Sequence, residues 1–315
     1  MNTLFSRCAK LVKSTIKPAM IASYALLSIA AHAVEYRLPT NGNSVVGENQ
    51  YYVVPEGKTT LEAIAAKFQL GLTNMMQANP GVDPYLPTPG STLIIPHQLI
   101  LPNTKREGIV VNIAEMRLYY YPKNSNSVTV LPIGIGQVGR DTPENWVTKV
   151  YRKRANPTWT PTKNTREIYA AKGVTLPDVW PAGPDNPMGL FALYVGNLFA
   201  LHGTNADFGI GLRVSQGCVR LRDDDIEHLF NSVPVGTRVE FINQPVKVAE
   251  ESNGGRYVEV HEPLSRTQEE FESNEPVMLE LDRKVTRFIA HAETDSFVIK
   301  RLLEQRTGMP TRINP

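Results

Sequence analysis

Apolar side chains recur along the chain with different periods, and each period marks a different kind of segment. Residues 20–31 form a short, predominantly apolar run. In residues 51–96 strand and helix patterns alternate. Tyr51-Tyr52-Val53-Val54 reads as a strand, and Leu61, Ile64, Ala65 and Phe68 fall at i, i+3, i+4 and i+7, the spacing of one apolar helix face. Thr59 with Glu62 three residues later forms a capping box that would open that helix. A second short helix is expected over 74–78, stopped by Asn79-Pro80-Gly81, and Thr92-Leu93-Ile94-Ile95 closes the unit as a strand before Pro96. Between the apolar run and this unit lies a short polar lead, residues 34–50.

From residue 108 to about 243 the pattern changes to short strands: 109–113 and 116–121 flanking a turn at Ala114-Glu115, then 128–135, 146–154, 189–195, 199–201 and 238–242. Residues 155–188 interrupt them with Pro157, Pro161, Pro177, Pro181, Pro184 and Pro187. Little regular structure is expected there, and connections of that length are commonly lids or binding loops. The tail, 244–315, opens with the turn Ser252-Asn253-Gly254-Gly255 and the alternating Arg256-Tyr257-Val258-Glu259-Val260, then becomes charged and helical, most clearly over 294–304. The expected organisation is mostly β. A β-rich domain over 108–243 is preceded by a small α+β module (51–97) and a linker (98–107), and followed by a mixed extension whose role the sequence leaves open.

Composition narrows the function classes. At 315 residues, 42% hydrophobic and 20% charged, the chain is not disordered wholesale. Four of its 33 basic side chains, Arg7, Lys10, Lys13 and Lys17, lie in the first 33 residues, which contain no acidic one. Without that segment the chain is slightly acidic, so no basic reservoir is left for nucleic acid. A basic opening, an apolar run shorter than the roughly 20 residues that span a bilayer, and Ala31-His32-Ala33 together read as a secretory signal cleaved after Ala33. Export to the periplasm is expected. Cys8 would leave with the signal, so Cys218 would be the only thiol of the mature chain, with no intrachain disulfide open to it.

A lone exported thiol is inert, paired with another chain, or a nucleophile, and its neighbours favour the last. His202-Gly203-Thr204-Asn205 leaves a strand, and Cys218 follows inside Ser215-Gln216-Gly217-Cys218-Val219-Arg220. An imidazole that accepts the thiol proton raises the thiolate population available for attack on a carbonyl. Gly203 and Gly217 let backbone approach a substrate, and N–H groups around Cys218 are candidates for an oxyanion hole. Asp223-Asp224-Asp225 reads as the opening of a helix over 226–231, where carboxylates complement the dipole, rather than as a metal cluster. His97, His228, His261 and His291 have no partners at ligand spacing and are expected at the surface. Neither metal nor cofactor is expected.

The His202-Gly203-Thr204-Asn205 and Ser215-Gln216-Gly217-Cys218-Val219-Arg220-Leu221 segments resemble the signature of the L,D-transpeptidases, the YkuD-type catalytic domain. Gly134-Ile135-Gly136, Gly139-Arg140, Thr142-Pro143, Asn186-Pro187-Met188-Gly189 and Val233-Pro234-Val235-Gly236-Thr237 extend the resemblance over 108–243. Residues 51–97 resemble the LysM module, which implies binding to peptidoglycan glycan strands, with Lys58 where that family often has Asp. The whole chain resembles periplasmic Gram-negative enzymes that attach Braun-type lipoprotein to peptidoglycan.

The resemblance implies Cys218 as nucleophile and His202 as base, acting on the diaminopimelate carbonyl of a tetrapeptide stem and releasing D-alanine. Ser215 would order the turn. Arg220, Trp159 and Lys163 are candidates to hold the stem's carboxylates, and Asn205 and Gln216 are further substrate-binding candidates; Gln216 stands where many members have a second histidine. The acceptor is a lipoprotein lysine amine, with a second diaminopimelate stem (a 3→3 cross-link) or water (carboxypeptidase or lipoprotein-detaching amidase activity) as alternatives. The LysM-like unit would concentrate the enzyme on glycan through its linker.

Overall fold

The computed structural model describes residues 33–206, 208–273 and 275–315. Of the segment read as a signal peptide, only Ala33 falls within the described residues.

Two sheets sandwich the main core. The larger has six strands in the order Val34–Arg37, Ser127–Pro132, Arg117–Tyr121, Gly108–Asn112, Arg238–Ile242, Trp146–Lys149. Neighbours are antiparallel except for Arg238–Ile242, which runs parallel to Gly108–Asn112 with Val239 opposite Ile109. The smaller sheet orders Arg152–Ala155, Phe191–Gly196, Phe199–His202 and Val219–Arg220. Ile109, Val111, Leu118, Leu131 and Phe241 of the first sheet meet Leu193, Val195, Leu201 and Val219 of the second, with Ile226 and Leu229 of the helix Asp223–Ser232. The expected continuous strand over 146–154 divides between the two sheets, because buried Val150 turns the chain from one into the other.

The large sheet is buried on its other face too. Val110, Tyr119, Tyr121, Val128 and Val130 pack there against Val46, Leu99 and Leu101. Two segments expected to be peripheral therefore carry core residues. The lead over 34–50 contributes an edge strand, with Val34 opposite Val130. Residues expected to be a linker contain the strand Leu99–Ile100, paired with Val45–Val46. The described residues form a single compact unit.

The α+β unit has the strands Gln50–Val53 and Thr92–Ile95 and the helices Leu61–Lys67 and Leu72–Ala78. The first helix is capped one residue later than expected: Thr60, not Thr59, accepts from the Ala63 N–H, so no Thr59–Glu62 box forms. The tail builds a three-stranded sheet, Val246–Glu250, Arg256–Val260 and Thr311–Arg312, covered by Arg283–Ile289 and Ser296–Gln305. Among the described residues no helix is long and apolar enough to cross a membrane.

All three parts meet at a buried ionic cluster. Lys247 Nζ lies 2.7 Å from Glu115 Oε2 and 3.0 Å from Glu259 Oε1. Arg117 reaches the same two carboxylates at 3.2 and 3.3 Å, and His261 Nε2 lies 2.7 Å from Glu259. From the α+β unit, Asn74 donates to the Glu115 carbonyl and Gln77 Oε1 lies 2.9 Å from His261 Nδ1. Burial would raise the Glu259 carboxyl, but Lys247, His261 and Arg117 hold it down at about 2. Glu115, Glu259 and His261 are close enough together to ligate a metal, yet the Lys247 ammonium already bridges the two carboxylates. His261 and His97 are buried, contrary to the surface placement expected of them, because each finds polar partners from distant segments. Asp225, in the first turn of the helix Asp223–Ser232 whose dipole it was expected to complement, is buried, and that burial pushes its carboxyl up to about 7.

Removing one partner from a buried charge cluster leaves the others uncompensated, a loss of about 3–5 kcal/mol. Lys247→Ala should therefore lower the unfolding free energy by about that amount in urea denaturation. A loss under about 1 kcal/mol, the scale of a surface pair, would show that the cluster does not hold the parts together.

Candidate active site

His202 and Cys218 are brought together by strand register. The strand Phe199–His202 ends on the histidine and pairs in parallel with Val219–Arg220, placing Leu201 opposite Val219 and His202 opposite Arg220. Parallel pairing returns the chain to the same end of the sheet, so Cys218 arrives beside the strand that carries His202. The turn before it is built by Ser215, whose hydroxyl accepts from the Gly217 N–H at 3.1 Å and donates to the Cys218 carbonyl at 2.5 Å. Thr142 fastens a second loop to this turn, accepting from the Gly136 N–H and donating to the Gly217 carbonyl, each at 2.9 Å. Gly217 has φ 108°, a backbone state that favours glycine.

The imidazole is oriented by backbone. His202 Nδ1 lies 2.6 Å from the Gly203 carbonyl, which can only accept, so Nδ1 carries the proton and the neutral ring keeps a lone pair on Nε2. Gly203 is itself backed by Gly189: a Cβ on Gly189 would lie 2.5 Å from Thr204 N. Burial, then the positive charge of Arg220, lowers the His202 pKa to about 4. Burial pushes the Cys218 thiol up, opposed by the Ala200 backbone N–H and by Arg220. The resting pair is thus a neutral thiol and a neutral imidazole. The half-buried thiol rests 3.8 Å from the Leu198 carbonyl.

Both residues line a cavity of about 550 Å³ together with Trp159, Asn205, Ser215, Gln216 and Arg220. Most of its remaining walls come from the proline-rich excursion, among them Tyr169, Leu176, Trp180 and Met188, with Val214 of the strand Arg213–Ser215 beside them. Trp159 and Trp180 exchange backbone hydrogen bonds of 3.0 and 2.7 Å and pinch the excursion at its base. Contrary to expectation the excursion holds a regular helix, Lys163–Ala171, capped by the Thr162 hydroxyl. Lys163 does not line the cavity; its ammonium is exposed and lies 3.7 Å from Glu167, one helical turn away. Arg220 does point into the cavity, and its buried Nε has no hydrogen-bond partner among the described residues.

Two expected oxyanion donors are engaged elsewhere. The Gly203 N–H donates to the Phe191 carbonyl, and the Gly217 N–H to Ser215. What sequence reasoning missed is mostly backbone: the Gly203 carbonyl that orients the ring and the Ala200 N–H beside the sulfur. Thr142 carried a signal, standing in a recognisable Thr-Pro pair, but nothing in that pair revealed its two hydrogen bonds.

Because Arg220 favours the thiolate and disfavours the imidazolium, its removal should raise both pKa values. In Arg220→Gln, iodoacetamide alkylation of Cys218 should reach half-maximal rate at higher pH than in the parent, and the His202 titration read by NMR should move up from about 4. A fall in either midpoint contradicts this electrostatic account.

Comparison with known proteins places each part of the chain. The L,D-transpeptidase catalytic domain (YkuD) matches residues 106–241, the LysM domain residues 52–96, and the L,D-transpeptidase C-terminal domain residues 245–313. The tail that sequence reasoning left without an assignment thus has a family of its own. The Escherichia coli protein described as "Probable L,D-transpeptidase YbiS" is 57% identical over 302 residues, covering 95% of this chain and 99% of that protein. The Salmonella typhimurium "Probable L,D-transpeptidase ErfK/SrfK" is 57% identical over 290 residues, covering 92% and 94%. With identity this high along nearly the whole length of both relatives, the chain belongs to the L,D-transpeptidase family.

Proposed function

We propose that Cys218 is the nucleophile and His202 the general base of an acyl transfer on peptidoglycan tetrapeptide stems, carried out in the periplasm. The thiol gives its proton to His202 Nε2 as sulfur attacks the diaminopimelate carbonyl. The tetrahedral intermediate collapses to a thioester, and D-alanine leaves with the proton that His202 returns to its amine. An acceptor amine then attacks the thioester while His202 takes its proton; the second tetrahedral intermediate collapses by breaking the C–S bond, and the departing Cys218 sulfur takes that proton back from His202. A lowered imidazole pKa suits this role, since the ring is neutral and able to accept a proton at neutral pH.

The observation that carries the reading is the convergence of His202, Cys218 and Arg220 in one cavity. A guanidinium lining the cavity offers a forked donor to a carboxylate, and a diaminopimelate-containing stem brings carboxylates next to the reacting carbonyl. Ser215 keeps the turn in shape, while Trp159, Asn205 and Gln216 form the wall the stem would lie against. For the second substrate, the resemblance to lipoprotein-attaching enzymes supports the C-terminal lysine amine of an outer-membrane lipoprotein. Glycan strands are assigned to the LysM domain.

Carbapenems present a strained acyl group to such a thiol. The parent protein should gain one drug mass by intact-mass analysis, Cys218→Ala none, and His202→Ala the same mass at a rate about 10²- to 10⁴-fold lower. An adduct that persists in Cys218→Ala would remove Cys218 from its role. Mass spectrometry of muropeptides from tetrapeptide sacculi incubated with and without lipoprotein should show a stem–lysine amide that appears only when lipoprotein is present. Cross-linked dimers or tripeptides in its place would assign the acceptor to a second stem or to water.

A further inference from the structure

The segment that carries Cys218 is held on both sides by the LysM domain. Ahead of the nucleophile, the Leu72 N–H donates to the Ile210 carbonyl at 3.1 Å, and the Thr73 hydroxyl donates to the Gly211 carbonyl. Beyond it, Arg222 Nη2 donates to the Leu70 carbonyl at 2.8 Å. Between these bonds the two backbones meet without side chains. A Cβ on Gly71 would lie 3.0 Å from Gly211 Cα, and one on Gly211, where φ is +87°, would run into Leu72 N.

From this grip a run of short hydrogen bonds leads to the sulfur's own turn. The Gly211 N–H donates to the Ile133 carbonyl at 2.9 Å, the Ile135 N–H to the Leu212 carbonyl at 3.0 Å, and the Gln137 N–H to the Ser215 carbonyl at 3.0 Å. Ser215 in turn holds Cys218. The gripping helix is itself fixed at the ionic cluster through Asn74 and Gln77. A domain attached in this way cannot swing on a tether, and any displacement of Gly71 or Thr73 is passed directly to the loop leading into the nucleophile.

We propose that residues 70–73 of the LysM domain position the nucleophile segment for acyl transfer, with Thr73 as the principal positioning residue. The domain is then part of the acyl-transfer machinery as well as a glycan anchor, opposite to the separable tether expected from the sequence. The proposal rests on the reading of Cys218 as nucleophile. A small misplacement of a reacting group costs rate far more than it costs affinity, because the aligned geometry is realised only in the transition state.

The test uses the full chain and a soluble tetrapeptide stem, which carries no glycan, so that loss of glycan binding cannot register. Thr73→Val keeps the shape and removes the hydroxyl; Gly71→Ala keeps the hydroxyl and presses a methyl against Gly211. Both should lower kcat about tenfold or more with KM within about twofold, and both should displace the pH midpoint for alkylation of Cys218. Thr73→Ser should restore the parent values. If both variants keep kcat and midpoint, the proposal is overturned. It is equally overturned if kcat falls only with Tm while the midpoint stays put and Thr73→Ser gives no rescue. Should Thr73→Val fail to fold, Gly71→Ala decides by the same readouts. Cys218→Ala runs alongside: turnover surviving there overturns the nucleophile assignment itself, an outcome separate from unchanged Thr73 and Gly71 variants.

Discussion

The Lys247 ammonium, placed between Glu115 and Glu259 with Arg117 and His261 against the same carboxylates, is the contact on which the arrangement of the chain depends. Two buried carboxylates would repel each other and pay a large desolvation cost, so neither is tolerable without the cations. The groups that hold them come from different parts of the chain: the Arg117 guanidinium from the catalytic sheet, the Lys247 ammonium and the His261 imidazole from the C-terminal domain. The LysM domain completes the cluster through Asn74 and Gln77. Desolvation ties the three parts together, since in this placement each buried carboxylate has partners from more than one of them.

That placement has a chemical consequence. A LysM domain locked at the ionic cluster presents residues 70–73 to the loop entering the Cys218 turn, and the same loop is laced to the catalytic sheet by backbone hydrogen bonds. The thiol therefore sits at the end of a rigid series of contacts. Its electrostatics are set locally, by burial and by Arg220, which acts on both members of the pair in the same direction. The result is a neutral thiol beside a neutral imidazole. Such a pair would hold its proton until a carbonyl enters the cavity and the developing charge makes transfer favourable.

The walls of the cavity come from the longest irregular stretch of the chain. Closing it with a backbone pair between Trp159 and Trp180 lets an excursion rich in proline hold a fixed shape, and the capped helix Lys163–Ala171 stiffens it further. Apolar residues on this excursion face the reacting atoms while Lys163 faces solvent. A lysine at the start of a short helix gains little by burial. Its ammonium stays hydrated beside Glu167, whereas Arg220 lines the cavity partly desolvated.

The sequence by itself determined the local elements and the chemical pair. Strands such as Thr92–Ile95 and Arg238–Ile242 were legible to the residue because alternation and flanking turn residues are short-range signals. His202 and Cys218 were legible because a thiol and an imidazole in glycine-flanked segments, in a chain with no second cysteine beyond Cys8, have few other uses. Tertiary structure decided what depends on partners far away in the chain. Glu115 read as part of a hairpin turn and is buried because Lys247 reaches it. His97 and His261 read as surface residues and are buried because Tyr36 and Gln77 meet them. Residues 98–107 read as a linker, yet Leu99 and Leu101 fill the far face of a sheet. Burying a polar or charged group is favourable only when its partner is already in place, and that partner is fixed by packing rather than by the period of the neighbouring residues.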